Sequence, residues 1–240
     1  MTDVALDTQP VKRVGQPFYL GMAVLLTAIV AFGFSHTIPF DMQTPGFPIM
    51  LVVHGVVFGA WMVLFVAQPA FIVSGAVSLH RKLGMFGAAL AVAMVVMGAL
   101  AIQFALHANS LPPFYPPNLF VTRGLVGLLM FGGLVTAGVL NRHRSEWHKR
   151  LMLCASFVVI MPGLERALPV PIMGTGWYFI VDGILITIAL IGPVYDLIVR
   201  KRIHPAYFWG IGAIVAGQVF VDLVSPTPFA TALAKAVGAL

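Results

Sequence analysis

The chain has 240 residues, 60% of them hydrophobic and only 9% charged, whereas a soluble domain carries about 25% charged residues. So few charges cannot cover a soluble surface of this size, so lipid must be the solvent for most of the exterior. The formal net charge of +6 raises nucleic-acid binding as a class, but the placement of the basic residues argues against it.

Residues 1–16 are polar, include Lys12 and Arg13, and show no small-residue cleavage site. They are expected to form a cytoplasmic tail rather than a cleaved signal peptide. Apolar runs then predict spans over 18–34, 49–74, 83–106, 119–140, 151–164, 177–199 and 207–224, each near the roughly 20 residues that cross a bilayer. Between the first two lies a polar, proline-rich loop with His36, Asp41 and Gln43, and residues 111–118 are too proline-dense for helix. The fifth run is short, but 148–168 taken together is long enough to cross. The reading is an all-α membrane protein, a bundle of about seven transmembrane helices over 17–228, followed by a short periplasmic segment over 229–240. Pro162 and Pro193 are expected to kink their helices, and Gly55 and Gly59 match the small-residue pattern of close helix packing. The lone Cys154 lies in an apolar run, which excludes a disulfide framework.

Eleven of the fourteen basic residues fall on one side of this topology: Lys12, Arg13, Arg81, Lys82, Arg142, Arg144, Lys149, Arg150, Arg200, Lys201 and Arg202. Cytoplasmic loops carry such an excess. The amino terminus is therefore expected inside and the carboxyl terminus outside, in the inner membrane of a bacterium. The lipid bilayer is the partner, with anionic head groups on the cytoplasmic side, and no nucleic acid is expected.

Ionisable groups at membrane depth cost roughly 2.5–3.5 kcal/mol each on insertion scales, so they are the first candidates for a site. Near the outer face stand His54, Arg123, Glu165, Arg166, Asp182, Gln218 and Asp222, with Gln103 and His107 closing the third span. Gathered inside the bundle, they would form a ligand pocket open to the periplasm. His54, Glu165 and Asp182, with Asp222, offer ligands for a first-row metal, and Arg123 and Arg166 suit an anion. The competing reading is an ion-pair network with terminal side chains reaching head groups.

Near the inner face stand His80, His148 and His204, with His143 beside them. Three imidazoles on three helices could ligate a metal, yet each stands beside Arg or Lys, as a basic belt at the membrane surface would. Asp196 is then expected to pair with Arg81 or Arg200. Haem would need histidines on different helices at one depth, as in His54 with His107, or His80 with His148 or His204. The stripe His54, Trp61, Gln68 is expected to face the bundle. Trp147, Trp177, Tyr178, Tyr207 and Trp209 fall near span ends, as an interfacial aromatic belt does. No lysine lies inside a span, which excludes a retinal Schiff base, and no phosphate loop, His-Glu-x-x-His or nucleophile elbow is present.

Several stretches carry a resemblance: Pro17-Phe-Tyr-Leu-Gly-Met22, His54-Gly55 through Trp61 and Gln68, Leu79-His-Arg-Lys-Leu-Gly84, His148-Lys-Arg-Leu-Met-Leu153 and Arg202-Ile-His-Pro-Ala206. On these the chain resembles a group of bacterial seven-helix inner-membrane proteins that carries no assigned activity. The resemblance implies the architecture and favours His54, His80, His148 and His204; it implies no reaction. The leading expectation is a membrane-embedded binding protein or enzyme holding a transition metal, haem or small polar ligand in the outer cluster. The alternatives are a small proton-coupled transporter, or an accessory subunit of a larger membrane complex with partner subunits.

Overall fold

The structure, a computed structural model, describes residues 16–35, 48–112, 115–170 and 173–239. His36, Asp41, Gln43, Lys12 and Arg13 lie outside the described residues. Among those described, the chain is all-helical, with nine helices and no strand. They are α1 (Gln16–Ser35), α2 (Ile49–Val73), α3 (Val77–His107), α4 (Pro117–Leu140), α5 (Ser145–Val159), α6 (Met161–Ala167), α7 (Trp177–Arg200), α8 (Pro205–Val224) and α9 (Pro228–Ala239). Six of them, α1 to α4, α7 and α8, are long and apolar enough to cross a membrane.

Proline and glycine set the boundaries. Pro117, Pro162 and Pro205 sit in the first turns of α4, α6 and α8, where a missing N–H costs nothing. Gly75 at φ 84° turns the chain between α2 and α3, and Gly176 at φ 107° precedes α7, conformations that only glycine adopts freely. Helix α3 runs 31 residues, six residues further back than the apolar run, because Leu79-His80-Arg81-Lys82 continues the helix. Pro193 lies inside α7 without ending it. Pro162 follows the break at Ile160 that separates α5 from α6.

The least apolar of the long elements sits at the centre. Along α5, Arg150, Leu151, Leu153, Cys154, Ala155, Ser156 and Phe157 are all buried, so this helix is covered on every side by α1, α4, α7 and α8. A helix that never meets lipid has no need of a lipid-like surface, which explains its short apolar run. The converse holds for α2, which is apolar along almost its whole length and has only Trp61 and Met62 buried. On α1 the buried residues Tyr19, Met22, Ala23 and Leu26 follow the three-to-four spacing of one helical face. The last segment is itself a helix: α9 packs Ala234 and Leu233 against Ile102, Val121 and Leu106 of α3 and α4, and Gly238 accepts a hydrogen bond at 3.1 Å from the His107 ring.

The close helix approach is not where the sequence pattern put it. Gly55 and Gly59 are exposed, and a Cβ at either would meet nothing within 4 Å. Backbones meet instead at Gly33 of α1 and Gly163 of α6, where a Cβ on Gly163 would lie 2.7 Å from the Val30 Cα. The expected result is that Gly163→Ala lowers stability by about 1–3 kcal/mol through overpacking while Gly59→Ala is neutral, as read from thermal unfolding in detergent.

Candidate functional site

Two charged centres lie at opposite ends of the bundle, and α5 with α6 contributes to both. At the first, Arg123 of α4 forks onto Asp182 of α7, with Nη2 donating to Oδ1 at 2.5 Å and Nη1 to Oδ2 at 3.0 Å. Its Nε stands 3.3 Å from Oε1 of Glu165 on α6, and Nη2 also donates to the Met161 sulfur at 3.4 Å. These three charged side chains are about nine-tenths buried. Tyr115 hydrogen-bonds to Glu165, and its ring is held edge-on against Trp177 and Phe120. Asp222 of α8 is electrostatically coupled to Asp182 and Arg123. Its buried Oδ1 and the buried Nε2 of Gln218, one turn earlier, have no hydrogen-bond partner.

Three sequence candidates for this centre lie elsewhere. Arg166 is exposed, donating to the Pro162 carbonyl and lying 4.5 Å over the Phe34 ring. Adjacent helical residues point about 100° apart, so Glu165 and Arg166 cannot both face inward. His54 points from α2 to α3, with Nδ1 3.4 Å from the Met97 carbonyl and its ring stacked on Phe58. His107 is engaged at the end of α9. The proposed outer metal set of His54, Glu165 and Asp182 is therefore not assembled, and among the described residues no three His, Cys, Asp or Glu come together to hold a metal.

At the second centre Arg150 of α5, 1% exposed, forks onto Asp196 of α7, 0% exposed, through Nη2 at 2.5 Å and Nε at 2.9 Å. Its Nη1 donates to the backbone and side chain of Glu146 at 2.9 and 2.8 Å. Glu146 also receives Lys149 at 2.5 Å and Arg200. Asp196 thus pairs with Arg150, not with Arg81 or Arg200, because it faces the interior whereas Arg200 turns to Glu146. The backbone N–H of His204 donates to Asp196 at 3.2 Å, and its Nδ1 accepts from the Ala206 N–H at the start of α8. Above Arg150 lie the rings of Tyr19 and Tyr207, 5.9 and 5.5 Å away.

The inner histidines do not converge either. His80 and His148 approach edge-on at 6.3 Å between ring centres, His204 lies against Trp147, and His143 is exposed. The His148 Nδ1 is 2.8 Å from the Gly138 carbonyl, and the Gln68 amide, with its nitrogen turned towards His80, donates to the ring and the backbone of that residue. Trp61 is buried edge-on against Phe131. Of the residues assigned to an aromatic belt, Trp177 and Tyr207 are buried at 3% and 1% exposure, whereas Trp209 is exposed.

Sequence reasoning passed over Glu146, Tyr115 and Tyr19. Glu146 had a legible signal, standing three and four residues before Lys149 and Arg150, where side chains on a helix meet. Tyr115 lay hidden in the proline-rich loop, with no periodicity to betray it. No family model, curated protein or solved structure matches the chain.

Two predictions follow from these contacts. Removing one partner of a buried pair strands the other charge, so Arg123→Ala is expected to cost about 3–5 kcal/mol. Arg123→Lys should recover little, because an ammonium cannot fork onto Asp182, and Arg166→Ala should cost under about 1 kcal/mol; thermal unfolding ranks the three. Acid should loosen the Arg150 end in two steps. Burial, with Arg150 and Arg200 nearby, holds the His204 imidazole below its ordinary 6.5. Burial pushes the Glu146 carboxyl up, but hydrogen bonds from Lys149, Arg150 and Arg200 prevail and hold it at about 2, below its ordinary 4.5. Both groups therefore stabilise the fold fully above their unfolded values, and both contributions fade as pH falls. Melting temperature should drop first below pH 6.5, in part through His204, and again between 4.5 and about 2 through Glu146, and His204→Gln should shrink the first step.

Proposed function

We propose that the chain is a seven-crossing inner-membrane protein whose Arg123 end is a buried acidic centre that binds a proton or small cation, as a small proton-coupled carrier requires. The observation that carries this reading is the buried Asp222 oxygen: it has no hydrogen-bond partner, while Arg123 is taken up by Asp182 and Glu165 and Arg166 turns onto the Phe34 ring. The bidentate contact neutralises Asp182. At membrane depth the remaining carboxylates need a proton or a cation for balance. A proton requires neither the histidine ligands that stand apart nor a cavity.

The seventh crossing is α5 with α6. Arg150 and Glu165 lie on this broken helix at opposite ends of the bundle, and 15 residues rise roughly 22 Å along a helix. The starts of α3 and α5 and the ends of α4 and α7 bring Arg81, Lys82, Arg142, Arg144, Lys149, Arg150 and Arg200 to one end. That excess supports placing the Arg150 end in the cytoplasm and the acidic centre towards the periplasm. A second reading, a binding protein for a small organic cation that also carries a hydrogen-bond acceptor, is favoured by the unpartnered Asp222 oxygen and the unpartnered Gln218 amide N–H one turn earlier.

Infrared difference spectroscopy of the purified protein tests the proton. A protonated-carboxyl band is expected at neutral pH, weakened by Glu165→Gln or Asp222→Asn in protein that still melts cooperatively. Absence of that band, together with a melting temperature indifferent to sodium, potassium and small organic cations, overturns both readings.

A further inference from the structure

At the opposite end, a cavity of about 210 Å3 opens between α1, α5 and α7, lined by Tyr19, Tyr195, Lys149 and Arg200 around Glu146. It adjoins a second of about 280 Å3 that shares Arg200 and adds Arg202 and His204. We propose that this cavity binds a single phosphate group, as an anionic phospholipid head group or a free phosphate ester, held by Lys149, Arg200 and the Tyr19 hydroxyl.

Charge comes first. Arg150 and Asp196 close on each other as a buried bidentate pair, which leaves one carboxylate, Glu146, facing both Lys149 and Arg200. With Arg202 next door, the accessible surface of the cavity carries an excess of cations. Accessibility separates the groups as well. The Lys149 and Arg200 side chains are 24% and 30% exposed while Arg150 is 1% exposed, so the first two can reach an incoming ligand and Arg150 backs the wall.

The second, independent observation is Tyr19. This residue is 9% exposed and lines the cavity; its buried hydroxyl meets only that of Tyr207, and neither has another partner, so the pair keeps one O–H unmatched. A buried hydroxyl left unmatched is costly unless a ligand or water meets it. Its ring is fixed by Phe18, edge-on at 5.3 Å, and Phe18 stacks on Tyr195 at 3.8 Å, so the donor is held rather than free to turn away. A guanidinium fork, an ammonium and a hydroxyl converging on one space match the several oxygens of a tetrahedral phosphate. The cavity alone is smaller than the roughly 300 Å3 at which drug-sized ligand pockets begin, a size that suits a head group. Basic pockets between membrane helices are used for anionic head groups elsewhere.

Native mass spectrometry of the full chain in a phosphatidylcholine environment, with added phosphatidylglycerol or inorganic phosphate as probes, provides the test. Retention of phosphatidylglycerol over phosphatidylcholine is expected. Lys149→Gln with Arg200→Gln should reduce it about tenfold, as loss of charge-assisted hydrogen bonds does. Tyr19→Phe removes one oxygen and should also weaken retention while leaving the lipid-free melting temperature unchanged, which separates binding from folding. Displacement by inorganic phosphate assigns the site to a free phosphate ester, and retention against it assigns the site to lipid. Failure of both probes to bind, or equal binding by the wild type, the double variant and Tyr19→Phe, overturns the proposal. Neither outcome touches the acidic centre at the other end.

Discussion

The bidentate pair between Arg150 and Asp196 sets the plan of the molecule. Neither side chain reaches solvent, and a charge without water is tolerated only when its partner and remaining hydrogen bonds are in place. Arg150 therefore commits α5 to the middle of the bundle, with α7 pressed against it and the Tyr19 and Tyr207 rings of α1 and α8 closing over the guanidinium. Once α5 is enclosed, the other long helices form a ring whose outward faces can be purely apolar: Val56 and Val63 on α2, Phe179 and Ile198 on α7, Phe208 and Phe220 on α8 are all exposed. The same logic recurs at Arg123, where α4, α6 and α7 are held by one guanidinium between two carboxylates. Polar contacts at the two ends and apolar packing between them together fix the register of the helices.

The two centres differ in what they leave over. At the Arg150 end cations exceed carboxylates, whereas at the Arg123 end two carboxylates share one buried guanidinium and Asp222 keeps a buried oxygen without a partner. This polarity along the bundle axis follows from the placement of eight acidic residues among fourteen basic ones.

Much of the architecture was legible in the amino-acid pattern, because length and hydropathy decide which helices can face lipid. Six apolar helices occur where long apolar runs stand. Element α5 was harder to read for a physical reason: it is enclosed by protein, so its surface is free of the rule that makes a span recognisable. The sites were legible only in part. The depth of Arg123, Asp182 and Glu165 pointed to one layer and the structure joins them, but depth says nothing of azimuth. His54 lies at a comparable depth and faces α3, and Arg166 sits one residue from Glu165 and faces outward. The pairing of Asp196 with Arg150 is hard to read because Arg150 stands in a run of basic residues typical of the membrane surface, where long side chains ordinarily reach water.

The contact of Gly33 with Gly163 has a consequence for assembly. It joins a helix made early to one made some 130 positions later, and contacts of such separation form late. Throughout synthesis of the intervening segments, the notch on α1 has nothing to receive. The Gly33 notch therefore stays unfilled until the short piece after Ile160 arrives to close on it. A chain truncated before that piece would hold its early helices inserted but unlatched, a state open to proteolytic surveillance rather than a smaller version of the finished fold.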